Sequence, residues 1–466
     1  MNNEEDKLEQ KQRRRAPRLE RVALSAAIVL LLAACGGSGA GTSTTGESQS
    51  GSSTTQSENA ETTVASSDPV EIEFWQPDTR EPWLDAMGYV VDSFEEANPN
   101  VTVNVVEVPW GDLNTKVQSA TATDTLPDVL FGFGSLPSGW ALQEITVPVD
   151  DVIDSVGRDE FPPALLEGLT IDSQAFGVPL YSYPQLLWYR ADWFEEAGLS
   201  APTSWDELRD AAEALTDGER YGFITYNQPP EPEVLLALMA TNDAYTFGPE
   251  GEVVIDGPNT VEALEFLSEL YEFSPPGSMA NSEDDARLAF QDGCCAMIIS
   301  SPSFANAISE DPSSLSSFAT TLFPTNRGDR GALAAWATLT IPRGAEHPAE
   351  AAAFLEHWFS SDVYLEFSKR NIVGILPVVE SVADSEEYWA SERVAPMESI
   401  LRSGIDAGRI GVPQEGIYGP NACAPQVLSQ GVWEEMGDRV TIGQEDPAEV
   451  AAWAQEQITQ ICESLG

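Results

Sequence analysis

Apolar and polar side chains alternate through VEIEFWQ, residues 70–76, and that period of two predicts a strand. In WLDAMGYVVDSFEEANPN, residues 83–100, apolar positions recur at helical spacing until Asn98-Pro99 ends the pattern. VTVNVVEVPW (101–110) predicts a second strand, LNTKVQSATATD (113–124) a helix and LPDVLFGF (126–133) a third strand. Strand, helix, strand, helix, strand is the order of an open α/β sheet, whose ligand crevice lies beyond the carboxyl ends of its strands. The loops leaving these strands are therefore the first place to look for chemistry.

Upstream the pattern is different. KQRRRAPRLER (11–21) is basic, and VALSAAIVLLLAA (22–34) is apolar for thirteen residues, too short to span ~30 Å of hydrocarbon but suited to the h-region of a secretory signal. Leu32-Ala33-Ala34-Cys35 resembles the bacterial lipobox, which implies a signal peptide over residues 1–34 and an acylated Cys35 as lipid anchor. Residues 36–68, GGSGAGTSTTGESQSGSSTTQSENAETTVASSD, hold almost no apolar side chain and cannot offset their ordering entropy by burial. They are expected to form a flexible tether of roughly 30 Å root-mean-square span. The chain is thus expected to be exported and held to the outer face of the bacterial cytoplasmic membrane. The roughly four hundred residues that follow exceed one comfortable core and are expected to form two lobes.

Charge narrows the partners. The leader holds seven bases and five acids, which leaves 16 bases against 71 acids in the remainder. Such a field repels phosphate backbones, so no nucleic acid partner is expected. Scarce lysine beside surplus carboxylate fits either a saline habitat or a generally acidic exported protein, and neither identifies a ligand. His347 and His357 stand in no metal-binding spacing and near no Gly-x-Ser-x-Gly elbow, and no phosphate-cradling glycine loop appears. No cofactor, no metal and no catalytic constellation is expected.

Four cysteines remain after Cys35: Cys294, Cys295, Cys423 and Cys462, for which three pairings are open. A Cys423–Cys462 bridge is expected if the last helix packs on the one that follows Cys423. Cys294 and Cys295 read as neighbours on a strand, pointing to opposite faces, and are expected to be buried rather than bonded to each other.

Several stretches in fixed order resemble the family 1 extracellular solute-binding proteins of ABC importers, the group that includes the maltodextrin receptors. They are IEFWQ, FEEANPNVTVNVVEVPW, LPDV, then FGVPLYSYPQLLWYRADWFEEAGLSAPTSWDELRDAAEALT (176–216). FQDGCCAMIISSPSF (290–304), WATLTIPRG (336–344), AAAFLEHWFSSDVYLEFSK (351–369) and GILPV (374–378) continue the series. Within it Ser204 is placed to cap a helix beginning at Trp205, with Glu207 in its first turn. The resemblance implies a type II, periplasmic-binding-protein-like α/β fold with three hinge crossings, near Val178–Tyr183, Trp336–Pro342 and Gly374–Val379. The first lobe is expected over 68–178 plus 338–376 and the second over 179–337 plus 377–466, with a ligand cleft between them. The implied partners are a small-molecule solute, carbohydrate above all, and the permease subunits of an ABC importer, with the membrane reached through the lipid anchor.

Sugars offer hydroxyls and apolar faces, so aromatic rings and side chains with several donors or acceptors are the natural lining. Asp78, Arg80, Trp110, Phe133 and Ser135 follow the first three strands. Tyr181, Tyr183 and Trp336 lie on crossings, and Tyr226, Gln228, Phe304 and Tyr418 are expected from the second lobe. At SSPSF, where maltodextrin receptors carry a tryptophan, this chain has Ser303 then Phe304, a departure that speaks against maltodextrin itself. Trp75, Trp188, Trp205 and Trp358, with apolar neighbours, are expected in the core. Paired carboxylates are plentiful, so a surface-anchored glycoside hydrolase stands as one alternative; a receptor for a non-sugar polar solute, a polyol or glycerol phosphate, stands as another.

Overall fold

The computed structural model describes residues 69–465 except 229–231, 310–314, 329–332, 334 and 414–416. The signal, Cys35 and the tether lie outside the described residues. Strands are numbered β1 to β8 in chain order, leaving aside a two-residue hairpin at 170–175.

Strand β1 (Val70–Gln76) has β2 (Val101–Glu107) and β3 (Val129–Phe133) as parallel neighbours, joined by helices Glu81–Ala97 and Leu113–Thr123. The first helix buries Trp83, Ala86, Met87, Val90 and Phe94, one face at spacings of three and four. It ends where Pro99 cannot continue it, with the Asn98 N–H donating to the Phe94 carbonyl at 2.8 Å. Two later segments complete the sheet: β4 (Val178–Ser182) and, far along the chain, β8 (Trp336–Thr340), in the order β2-β1-β3-β8-β4. Strand β8 runs antiparallel to both its neighbours. β3 and β8 are buried along their whole length, because helices cover both faces of the sheet.

Around this sheet lies one hydrophobic core, drawn from Ile72–Tyr181 and Trp336–Val382. Its centre is aromatic: Trp83 meets Phe131, Tyr181 and Phe367 edge to face at 5.7–5.8 Å between centroids. A second core runs from Leu186 to Leu333 and from Val373 to Ile461. It is more helical than the first. Its sheet has only β5 (Leu186–Arg190) between β6 (Met297–Ser300) and β7 (Phe318–Thr321), all antiparallel. Helices Trp205–Ala214, Glu233–Ala240, Pro258–Glu272, Val432–Thr441 and Pro447–Leu465 build the rest. The Ser204 hydroxyl accepts from the Glu207 N–H at 3.3 Å, so the cap stands where the Ser-Trp corner placed it. Trp75, Trp188, Trp205 and Trp358 are all buried.

The chain passes between the cores at three segments that touch one another. Ser182 and Leu376 exchange N–H···O bonds at 2.9 Å each, and the N–H groups of Tyr183 and Gln185 donate to the carbonyls of Ala335 and Leu333. Strand pairing carries Trp336, Ala337, Leu180 and Tyr181 into the first core, and Val378, Val379 and Val382 pack there too, although the boundaries drawn from sequence give them to the second lobe. At Gly374 the backbone has φ +92°, and a Cβ there would lie 1.9 Å from the Pro302 carbonyl oxygen. Only glycine fits both the angle and the approach.

Both cysteine pairs are bonded: Cys423 to Cys462, 39 residues apart, and Cys294 to Cys295. The second overturns the expectation that adjacent cysteines would face apart. Strand β6 begins only at Met297, and Cys294 and Cys295 lie between it and the turn at Asp292-Gly293, where Gly293 has φ +82° and only Cys295 makes an isolated bridge, to Tyr221. There the alternation of a strand does not apply. Among the described residues no helix is long and apolar enough to cross a membrane.

Two stability measurements follow. Replacing Cys423 and Cys462 together by serine should cost about 3–4 kcal/mol, the value for a closed loop of this length, read as a lowered midpoint in chemical denaturation. The second concerns Glu434, only 8% exposed, whose Oε2 has no hydrogen-bond partner. Burial pushes its carboxyl up to about 7; a backbone hydrogen bond opposes this and the charge of Asp438 adds to it. Because the folded value exceeds the unfolded one, the native state takes up a proton first. The penalty is full above pH 7 and fades as pH falls toward the unfolded carboxylate range. Glu434→Gln should therefore raise stability by about 1–2 kcal/mol at pH 8 and change little near pH 4.5, compared by melting temperature at both.

Candidate functional site

Between the two cores lies a cleft of about 310 Å³. One wall comes from the first sheet. Asp78, Thr79 and Arg80 follow β1, Trp110 follows β2, Phe133 ends β3, and Tyr181 and Tyr183 lie at and beyond the end of β4. This is the carboxyl edge of the parallel strands, where the alternation of strand and helix leaves a crevice.

The wall is fixed from beneath. Gln76, buried at the end of β1, accepts at Oε1 from both the Trp83 indole N–H (2.9 Å) and the Asp78 N–H (2.8 Å). That ties the loop to the aromatic core. The Asp78 carboxylate in turn accepts from the Arg80 N–H at 3.0 Å and from its Nε at 2.9 and 3.1 Å, and Nη2 closes the ion pair. Burial works against the Arg80 charge, but the hydrogen bonds and charge of Asp78, with smaller help from Tyr181 and Asp284, raise its pKa above the usual. Burial, and then the Asp78 charge, push the Tyr181 phenol far up although Arg80 opposes, so its hydroxyl stays a donor. Trp110, half-buried, leans on Phe133 with centroids 5.1 Å apart, and Tyr183 lies 6.1 Å from Tyr181. Four rings thus face the cleft from one side.

The opposite wall is polar. Helix Glu283–Gln291 begins in a capping box, Ser282 with Asp285, which sets Glu283 and Asp284 in its first turn and Arg287 one turn on. Arg287 bonds Glu283 at 2.6 Å and Asp284 at 3.2 Å, and reaches the hydroxyls of Ser300, Ser301 and Ser303 at 2.7, 3.0 and 3.3 Å. The Ser300 hydroxyl also donates to Glu283 at 2.8 Å. At the back, Gln185 donates from Nε2 to Glu233 at 3.2 Å, and both side chains are buried. Ile375, on the third crossing segment, closes the lining.

Of the residues singled out in the sequence, Asp78, Arg80, Trp110, Phe133, Tyr181 and Tyr183 come together here. The structure does not bring the other six into the lining. Trp336 is 5% exposed, its ring filling the space beside Gly168, where a Cβ would lie 2.9 Å from it. Tyr226 is 1% exposed and donates to the Ile299 carbonyl, inside the second core. Phe304 lies beneath Arg287 and packs on Trp188 and Phe290, so it supports the wall without reaching its surface. Ser135 is buried at the start of helix Leu136–Leu142. Gln228 is exposed outside the cleft, and Tyr418, 49% exposed, packs edge-on against Tyr245.

Sequence reasoning missed Glu233, Glu283, Asp284, Arg287, Ser301 and the amide of Gln185. Two signals were present: an acid at the head of the otherwise apolar helix EVLLALMA, and the S-E-D-D box ahead of an arginine. Neither locates its helix on the cleft. His347 and His357 take no part; His357 is half-buried against Ser93, and burial lowers its pKa. Among the described residues no group of His, Cys, Asp and Glu could hold a metal ion.

The profile of the bacterial extracellular solute-binding protein family matches residues 77–364. A putative ABC transporter periplasmic-binding protein of Escherichia coli is 25% identical over 412 residues, 84% of this chain and 93% of that protein. A mannitol-binding protein of Pseudomonas aeruginosa is 24% identical over 326 residues, 66% of this chain and 74% of its own length. The maltose-bound structure of a MalE protein of T. maritima superposes with a TM-score of 0.71 at 20% identity, covering 84% of this chain and 100% of that one. The two-lobe, type II binding-protein fold implied by the sequence motifs is the fold these structures share.

The packing separates two tryptophans. Trp336→Ala should cost about 3–5 kcal/mol in stability as a buried ring lost from the core. Trp110→Ala, at a half-open wall, should shift the melting temperature by only a few degrees. Thermal denaturation of the two variants side by side decides it, and an equal drop for both would mean that Trp110 is structural.

Proposed function

The chain belongs to the bacterial extracellular solute-binding proteins, and from that premise we propose that it captures a sugar or polyol in the cleft between its two cores and hands it to the membrane permease of an ABC importer. The observation that carries the solute class is the pairing of walls: four aromatic rings face a lattice of hydroxyls, carboxylates and guanidiniums. A sugar or polyol offers C–H faces to the first and hydroxyls to the second. The named relatives bind mannitol and maltose, which supports the same class here.

Both arginines of the lining are already paired with carboxylates. Arg80 is taken by Asp78, and Arg287 by Glu283 and Asp284. A glycerol phosphate would bring its charge against four carboxylates with only two guanidiniums in the lining, so we read the solute as one without phosphate or carboxylate. The same pairing argues against the hydrolase alternative for Asp78, Glu283 and Asp284, because a carboxylate held by arginine is a poor proton donor, and Glu233 alone does not make a carboxylate pair. We therefore take the protein to be a receptor and not an enzyme.

We place the hinge at the three touching crossings and read residues 68–178 with 338–376, and 179–337 with 377–466, as the bodies that close on the solute, adjusted by the strand pairing described above. Closure must be driven by contacts made only in the closed form, and walls of unlike chemistry from the two cores provide them. We further propose that Cys35 carries the lipid anchor and residues 36–68 the tether that lets the receptor move over the membrane. Stable retention needs more than one acyl chain, as the diacylglyceryl-type modification of a lipobox cysteine supplies.

The test joins both halves. Cys35→Ser should release a protein that still binds, and small-angle scattering should show its radius of gyration shrink on saturation with solute. Retention of the variant in the membrane refutes the anchor. Binding with unchanged dimensions refutes closure.

A further inference from the structure

Four carboxylates line the cleft, Asp78, Glu233, Glu283 and Asp284, against two guanidiniums. Two of the four are withdrawn from solvent, Asp78 at 1% and Glu233 at 8% exposure. Surface carboxylates in so acidic a chain are screened by salt; buried ones are screened much less. The surplus negative charge of the cleft is thus a property of the site and not only of the composition.

A second observation shows where that charge is aimed. Gln185 is 1% exposed and lines the cleft. Its Nε2 is committed to Glu233 at 3.2 Å, which fixes the amide, and its Oε1 has no hydrogen-bond partner. A buried carbonyl oxygen without a protein donor is costly, and what enters the cleft can supply one. Gln185 Oε1 therefore asks for a donor, and the Glu233 carboxylate stands beside it in the same corner. Tyr181, Tyr183 and Gln185 stand at alternate positions of one segment, so the corner and two of the four rings share a stretch of backbone.

A hydroxyl answers this corner incompletely, with one donor, two lone pairs and no charge. An ammonium has three donors, no acceptor and a positive charge, and it is attracted to aromatic faces as well. Resting on the reading of the cleft as a sugar or polyol site, we infer that the solute carries a protonated amine, an amino sugar or aminopolyol, whose ammonium sits at Glu233 and Gln185. The sugar ring or polyol chain then lies along the aromatic wall. The net charge of −53 on the whole chain favours the approach of such a cation.

The test uses the purified full chain and matched solutes in which an ammonium replaces a neutral hydroxyl or acetamide: glucosamine against glucose and N-acetylglucosamine, glucamine against sorbitol, and deacetylated against N,N′-diacetylated chitobiose. Titration calorimetry should give the amine member of at least one pair an affinity about ten-fold higher than its neutral partner, and added salt should narrow the gap. Glu233→Gln should bring the members of that pair to within about two-fold of one another, whatever it does to both affinities. Should that variant fail to fold, the salt dependence of the unaltered chain still decides. Neutral members binding as tightly as their amines would overturn the ammonium site and leave the sugar or polyol reading standing. If no member of any pair binds, the sugar or polyol reading falls with it.

Discussion

The structure hangs on one seam, where three distant pieces of chain lie side by side between the cores. Ser182 and Leu376 hold each other by a reciprocal pair of backbone bonds, and the carbonyls of Ala335 and Leu333 take the N–H groups of Tyr183 and Gln185. Gly374 lets the third piece come against the Pro302 carbonyl. Backbone hydrogen bonds satisfied within the seam need nothing from either core, so the joint between the two bodies is self-contained. The stretch that enters the seam also carries Tyr181, Tyr183 and Gln185 to the cleft. Joint and site are made from the same backbone.

Each wall is braced by the core behind it. Asp78 is held through Gln76 to the indole of Trp83, which is itself packed among Phe131, Tyr181 and Phe367. Arg287 is held over Phe304, which packs on Trp188 and Phe290. The charged groups find partners on their own wall, so little ordering is left to be done when a solute arrives. A site held this way keeps more of its contact energy as affinity.

The first wall was legible in the sequence because it follows from strand order. Once residues 70–76, 101–107 and 129–133 are recognised as parallel strands, Asp78, Arg80, Trp110 and Phe133 must lie at their carboxyl edge. The second wall was not legible. Glu283, Asp284 and Arg287 belong to an ordinary capped helix, and only packing across more than a hundred residues brings them opposite Tyr181. Aromatic identity misled in the other direction: Trp336, Tyr226 and Phe304 have the chemistry of a sugar platform and the burial of a core, and residue type does not distinguish the two. The bonded pair Cys294–Cys295 was lost to a strand read three residues too early.

Acidity, the most obvious trait of the sequence, has opposite meanings in two places. On the surface a carboxylate is solvated, and exposed pairs such as Arg158 with Asp154 add little to stability. In the cleft the same group is partly desolvated, and its field is felt by whatever enters. Asp78 shows this, since it raises the pKa of both Arg80 and Tyr181 from a position almost closed to water. Composition therefore predicts how the molecule behaves toward salt and polyanions, whereas the few buried members of that composition set the field inside the cleft. Because Asp78 is already paired with Arg80 and Glu233 already accepts from Gln185, an entering solute meets a field that is in place before it arrives.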